Sequence, residues 1–249
     1  MPFLKLYQGV RMKKLLFLIF AKILLAQTLV IYSGITMKYP VKEMAAKFEK
    51  MYPGLKVKTL FGKSGALYRK MVAMKKCDIY FPGSAKFINK NPKIFLDTAK
   101  IGENTLVIIV KKGNPKKIKN LDSLTNPQIS VVIGSKNSSV GVKTRDVLKK
   151  KGAKFYNLLT KKAIIAYTSN EIIANVISNA DSGLNWKGVV YWKNYKQYVD
   201  IIPIDKKYSP SSDLVMGVTQ FAPNMIMAKR FLKFAKSYEG QKIMRKWGF

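Results

Sequence analysis

From residue 27 onward the chain alternates short apolar runs with segments whose apolar residues recur every three or four positions. QTLVIYS (27–33) is a β-rich run that stops at Gly34. In TMKYPVKEMAAKFEKMYPG the residues Val41, Met44, Ala45, Phe48 and Met51 share one helical face, with Pro40 in the first turn and Pro53-Gly54 at the end. LKVKTLFG predicts a second strand, SGALYRKMVAMKK a second helix, and CDIYF (77–81) a third strand ending in Pro82-Gly83-Ser84. Strands alternating with helices argue for parallel sheets, whose ligands gather beyond the carboxyl ends of the strands. Three loops, 34–36, 62–64 and 82–84, thus fall on one candidate ligand edge.

NTLVIIVKKGNP (104–115) predicts a strand and a breaker, after which a second series begins. Its strands are expected at 128–135, 163–167, 187–192 and 199–204, and its helices at 140–152 and 170–180. A last strand, DLVMGVT (213–219), precedes Pro223 and a helical closing stretch. There is no fixed-period repeat, and the pattern predicts two α/β lobes.

In FGKSGALYRKM (61–71) a glycine-bounded turn opens the second helix. A helix start leaves backbone N–H groups without intrahelical partners, and these donors with the helix dipole attract anions. Ser64 at that position reads either as a helix cap or as a ligand donor.

The first 26 residues stand apart. Lys5, Arg11, Lys13 and Lys14 precede LLFLIFAKILLA, an apolar run broken by Lys22 and short for a bilayer span, which reads as an export signal cleaved near Ala26, with Met12 as a second possible start. The segment carries five of the 46 Lys and Arg residues and no acids, which leaves 41 basic against 13 acidic residues, a net charge of +28, beyond it. A negative partner is implied: a small anion, nucleic acid or an anionic surface. The lysines are spread along the chain rather than gathered in runs with stacking aromatics, which weakens the nucleic-acid reading. With no histidine and only Cys77, the usual zinc, copper and haem ligand sets and any Ser-His or Cys-His nucleophile are missing. No enzyme chemistry and no cofactor are suggested.

FGKSGALYRKM, CDIYFPGSAKFI, NADSGLNWKGVVYW and FLKFAKSYEGQKIMRKWGF occur in the order of matching segments of the periplasmic molybdate-binding proteins of ABC importers, which residues 28–249 resemble. The resemblance implies a two-lobe α/β fold of the type II periplasmic binding protein class, each lobe a mainly parallel sheet flanked by helices, with the ligand in the interlobe cleft. Lobe one is expected at 28–108 and 208–249, lobe two at 109–207, with hinge closure on the ligand. The implied ligand residues are Thr36 and Ser64 through their hydroxyls, Val140 through its main-chain N–H, Asn170, and Tyr191 through its hydroxyl. The implied partners are a molybdate or tungstate anion and a membrane permease, with a monomer in the periplasm and no nucleic acid. Pro82-Gly83-Ser84, Thr36 and 221–224 depart from the family pattern, so sulfate, thiosulfate or phosphate stays open as the anion, and a basic nucleic-acid or surface binder is the alternative of another class.

The chemistry agrees with the resemblance. A fully deprotonated tetrahedral oxyanion only accepts hydrogen bonds, so its site should present N–H and O–H donors and no carboxylate. GITMKYP and GKSGAL contain no acid. An asparagine helix cap is the plain alternative for Asn170, and core packing for Tyr191. Lys63 is read chiefly as a solvated cation beside Ser64.

Overall fold

The computed structural model describes residues 27–136 and 138–249. The export signal read at 1–26 lies outside the described residues. The first stretch forms β1 (Gln27–Gly34), α1 (Lys38–Met51), β2 (Leu55–Gly62), α2 (Ser64–Met74), β3 (Ile79–Phe81), α3 (Lys86–Asn89) and β4 (Phe95–Asn104). The second forms β5 (Leu106–Lys111), β6 (Val131–Gly134), α4 (Ser139–Lys151), α5 (Ala153–Lys162), β7 (Ile164–Ala166), α6 (Ser169–Ser178), β8 (Ser182–Trp186) and β9 (Val199–Pro203). The chain then returns through β10 (Ser212–Thr219) to α7 (Met225–Lys236) and α8 (Tyr238–Lys246).

These elements build two five-stranded sheets, ordered β2-β1-β3-β10-β4 and β7-β6-β8-β5-β9. The chain crosses from the first sheet to the second between Asn104 and Leu106, and back between Pro203 and Ser212. Both sheets are mixed. β1 runs parallel to β2 and β3, and β6 parallel to β7 and β8, through helical crossovers. β10 is antiparallel to β3 and β4, and β5 to β8 and β9, because each crossing strand enters its sheet from the opposite direction.

Each sheet has its own core. Leu29, Ile31, Val41, Met44, Phe48, Met216, Phe231 and Ile243 are buried in the first, and Ile108, Ile109, Val132, Leu148, Ile172, Leu184 and Val190 in the second. The helical spacing in α1 works as read: Val41, Met44, Ala45 and Phe48 are buried, whereas Met51, in the last turn, is exposed. Gly54, at φ +87°, allows the tight turn into β2 that a side chain would strain.

One strand expectation is overturned. KGVVYW (187–192) is not a strand but the start of a 3₁₀ run, Lys187–Gln197, and the strand is the preceding Ser182–Trp186. Val189 and Val190 are fully buried, so this β-branched run fills the second core by packing. The strand slots on either side of β8 are already taken by β5 and β6.

Candidate functional site

The parallel register of the first sheet brings the three glycine loops together. Gly34 lies opposite Gly62, and Ser33 opposite both Phe61 and Phe81, so β1, β2 and β3 end at one edge. Beyond that edge the chain forms the 3₁₀ turn Ile35–Met37, the start of α2 and the turn after Phe81. The Gly83 N–H donates to Ser64 Oγ at 3.0 Å. A methyl built on Gly83 would lie 3.7 Å from Ser64 Oγ and 3.8 Å from Thr36 Oγ1, so both hydroxyls are gathered around this glycine. At Gly34 an added Cβ would meet the Gly83 nitrogen and Met37 Cε, both at 2.9 Å. Only a glycine lets the loops approach so closely.

Ser64 is not the cap of its helix. The capping position belongs to Lys63, which makes no side-chain cap bond, and Ser64 is the first helical residue. Its hydroxyl oxygen accepts from Gly83 and its carbonyl accepts from the Tyr80 hydroxyl at 2.8 Å. Burial pushes the Tyr80 hydroxyl well above its ordinary pKa, so it stays protonated and keeps that bond. The hydroxyl proton of Ser64 is left to donate elsewhere. Thr36 is buried, and its hydroxyl donates to Met37 Sδ at 3.0 Å, a weak acceptor.

In the second sheet, Val140 is the second residue of α4. Ser138 caps this helix by accepting from the Gly141 N–H at 3.0 Å. Arg145 donates through Nη1 to the carbonyls of Gly134 (2.7 Å) and Gly141 (3.1 Å), which staples the turn before the helix. The Val140 side chain is buried, so the main-chain N–H of a helix start is what it can offer a ligand. Asn170 is exposed and is not a cap: Thr168 caps α6, accepting from Glu171 N–H at 3.1 Å. Tyr191 is half-buried in the 3₁₀ run, which packs against the turn Ile35–Met37. Thr36, Ser64 and Gly83 thus form one cluster, and the segment carrying Tyr191 meets it. Val140 and Asn170 sit at the N-termini of two separate helices of the second sheet.

Basic residues lie close to these loops in sequence, Lys63 before Ser64 and Lys86 after Gly83. Lys143, in the second turn of α4, donates to the Pro210 carbonyl at 3.0 Å. Its pKa is pulled down by burial and by the neighbouring charges of Lys150 and Lys86, the latter three residues beyond Gly83. The chain as a whole is strongly basic, while the hydroxyls of Thr36 and Ser64 are neutral. The sequence flagged the Pro82-Gly83-Ser84 loop, though not the bond from Gly83 to Ser64, and nothing in it signalled Arg145 as a staple.

Residues 29–249 match the family model described as "Bacterial extracellular solute-binding protein". The chain belongs to that family. Among curated relatives, the molybdate-binding protein ModA of Mycobacterium tuberculosis is 21% identical over 227 residues, spanning 90% of this chain and 85% of the relative. Among solved structures, the sulfate-binding protein SubI from M. tuberculosis superposes with a TM-score of 0.74 at 18% identity, covering 90% of this chain and 86% of SubI. The periplasmic molybdate-binding protein of Azotobacter vinelandii gives 0.70 at 17% identity, covering 88% and 97%. This member of the family therefore has the two-lobe type II architecture that the sequence implied, with the hydroxyl cluster on the first lobe beside the crossing to the second.

Proposed function

We propose that the protein captures a tetrahedral oxyanion, molybdate or tungstate before others, and delivers it to the permease of an ABC importer. The observation that carries this reading is the convergence of Thr36 Oγ1 and Ser64 Oγ on Gly83 at the carboxyl ends of three parallel strands. These are neutral donors, and no carboxylate stands in the three loops. A ligand with four acceptor oxygens and no proton fits such a set, and a protonated anion such as hydrogen phosphate would lack a partner for its proton. Val140, Asn170 and Tyr191 complete the site from the second lobe when the lobes close. The dispersed lysines supply a long-range field that speeds capture of a dianion.

We place lobe one at 28–108 and 208–249 and lobe two at 109–207. Keeping β5 whole would move the first boundary to residue 105. The protein is read as an exported, periplasmic monomer that uses no cofactor and catalyses no reaction. Sulfate is the second reading for the anion, supported by the fold shared with SubI.

Calorimetric titration of the chain from residue 27 with molybdate, tungstate, sulfate, thiosulfate and phosphate tests the reading. Saturable one-to-one binding of molybdate or tungstate, tighter than the other three, is expected. Binding of none of them would overturn the oxyanion assignment.

A further inference from the structure

We propose that the segment Trp247-Gly248-Phe249 is a positioning element for Tyr191, holding its ring at the contact between the two lobes. This inference rests on the reading of Tyr191 as an anion donor.

Trp247 is fixed to the first lobe. Its Nε1 donates to Glu43 Oε2 at 2.8 Å, and the same carboxylate accepts from Lys246 Nζ. The indole stacks on Tyr39 with centroids 5.0 Å apart and planes 18° apart. Tyr39 lies three residues beyond Thr36, and its ring also meets Trp192 of the 3₁₀ run at 5.6 Å. One tyrosine of the first lobe therefore touches both the anchored Trp247 and the residue that follows Tyr191.

From Trp247 the chain turns through Gly248, at φ +84°. A Cβ there would lie 2.6 Å from Cδ2 and Cε2 of Tyr191, so the phenol ring lies directly on the glycine backbone. Phe249 then reaches from the first core to the second lobe: a Cβ on Gly188 would come within 2.4 Å of its Cζ. Glycines at 188 and 248 are what permit the two aromatic rings to approach these backbones. Trp192 Nε1 is buried with no hydrogen-bond partner among the described residues, so no such bond fixes the indole beside Tyr191. The second core holds the run through Val189 and Val190, and on the first-lobe side its contacts are with Tyr39, Gly248 and Phe249.

A ring held by packing on one side keeps its hydroxyl at a fixed place, and removing the packing lets the ring spread over several rotamers. The cost then appears in anion binding and passes through the Tyr191 hydroxyl. A double-mutant cycle on the chain from residue 27 reads this coupling, with Tyr191→Phe and Phe249→Ala singly and together, molybdate as the probe, and melting temperature recorded for each. We expect Phe249→Ala to weaken molybdate binding about 10-fold when Tyr191 is present and less than about 2-fold in Tyr191→Phe, with Gly248→Ala behaving alike. Should Phe249→Ala fold poorly, Phe249→Leu carries the same comparison with less lost packing. Equal losses in both backgrounds, or a lower melting temperature with unchanged affinity, would make the segment merely structural and overturn the proposal. Unchanged affinity in Tyr191→Phe would instead overturn the donor role and the positioning with it, while the hydroxyl cluster of lobe one would still be tested by Ser64→Ala.

Discussion

The backbone N–H of Gly83 donates to the Oγ of Ser64 across 3.0 Å, joining two loops nineteen residues apart in sequence. This bond makes the serine an acceptor toward its own fold and leaves its proton for a ligand. Ser64→Ala should therefore act twice. Loss of a charge-assisted hydrogen bond, worth roughly 1.5–3 kcal/mol, predicts about 10- to 100-fold weaker oxyanion binding. Leaving the Gly83 N–H without its acceptor predicts a further stability loss of about 1 kcal/mol. Titration and thermal melting separate the two, and unchanged affinity alongside a lower melting temperature would remove Ser64 from the site.

Gly34 sets how closely the first loop approaches the third. Its backbone, at φ −57° and ψ 143°, suits any residue, so the effect of Gly34→Ala is steric. The new methyl would meet the Gly83 nitrogen and Met37 Cε at 2.9 Å. Overpacking of this kind costs about 1–3 kcal/mol and should pry Gly83 from Ser64. The measurement is anion affinity in the variant, expected to fall about 10-fold if the displaced loop removes one ligand hydrogen bond. An affinity within twofold of wild type would show that the site tolerates a wider gap.

Lys63 occupies the exposed capping position of α2, next to Ser64. Its charge acts at a distance, so Lys63→Ala should slow association severalfold at low ionic strength and leave dissociation nearly unchanged. At about 0.5 M salt the difference should vanish, because the screening length falls to a few ångströms. Stopped-flow binding at two salt concentrations decides this. A loss that persists at high salt would mean that the ammonium touches the anion.

Asp78 is fully buried and accepts from the backbone N–H groups of Val30 and Asn224, each at 2.7 Å. It ties β1 to the turn that leads into α7. Burial raises its pKa above the ordinary 3.8, outweighing the two N–H donors, which lower it. The folded state therefore binds the proton more tightly than the unfolded chain. The stability from this group is fully present below the ordinary carboxylate range and is lost as the pH rises through the folded pKa. Asp78→Asn turns one accepting oxygen into a donor facing an N–H and should cost about 1–3 kcal/mol at pH 7. Denaturant unfolding at pH 7 and pH 4.5 should show the gap between wild type and variant widening at the lower pH. A gap that stays constant or narrows would contradict the buried-carboxylate account.

Much of this molecule is legible in its sequence because local chemistry and tertiary context agree. The apolar runs at 27–33 and 55–62 become strands, and the spacing of Val41, Met44, Ala45 and Phe48 becomes the buried face of α1. Three regions were not legible. β4, with Asp97, Thr98, Lys100 and Glu103 among its residues, is an edge strand with much of its length exposed, so it lacks an apolar signature. KGVVYW has the composition of a strand, yet no strand slot is free for it beside β8. The short α5 buries only Leu159 fully, so few core positions mark it in the sequence.

The sequence by itself determined that strands alternate with helices, that three glycine loops end parallel strands, and that those loops carry hydroxyls and no acids. These properties depend on residue types and on periods of two and 3.6, which are local. Only the tertiary structure decided that Ser64 bonds to Gly83 rather than capping its helix, and that Gly248 lies against Tyr191. Each of these is a contact between residues or a choice between competing acceptors. Such a choice is made by which backbone N–H the packed fold brings within 3 Å, and nothing in the neighbouring residues specifies that distance.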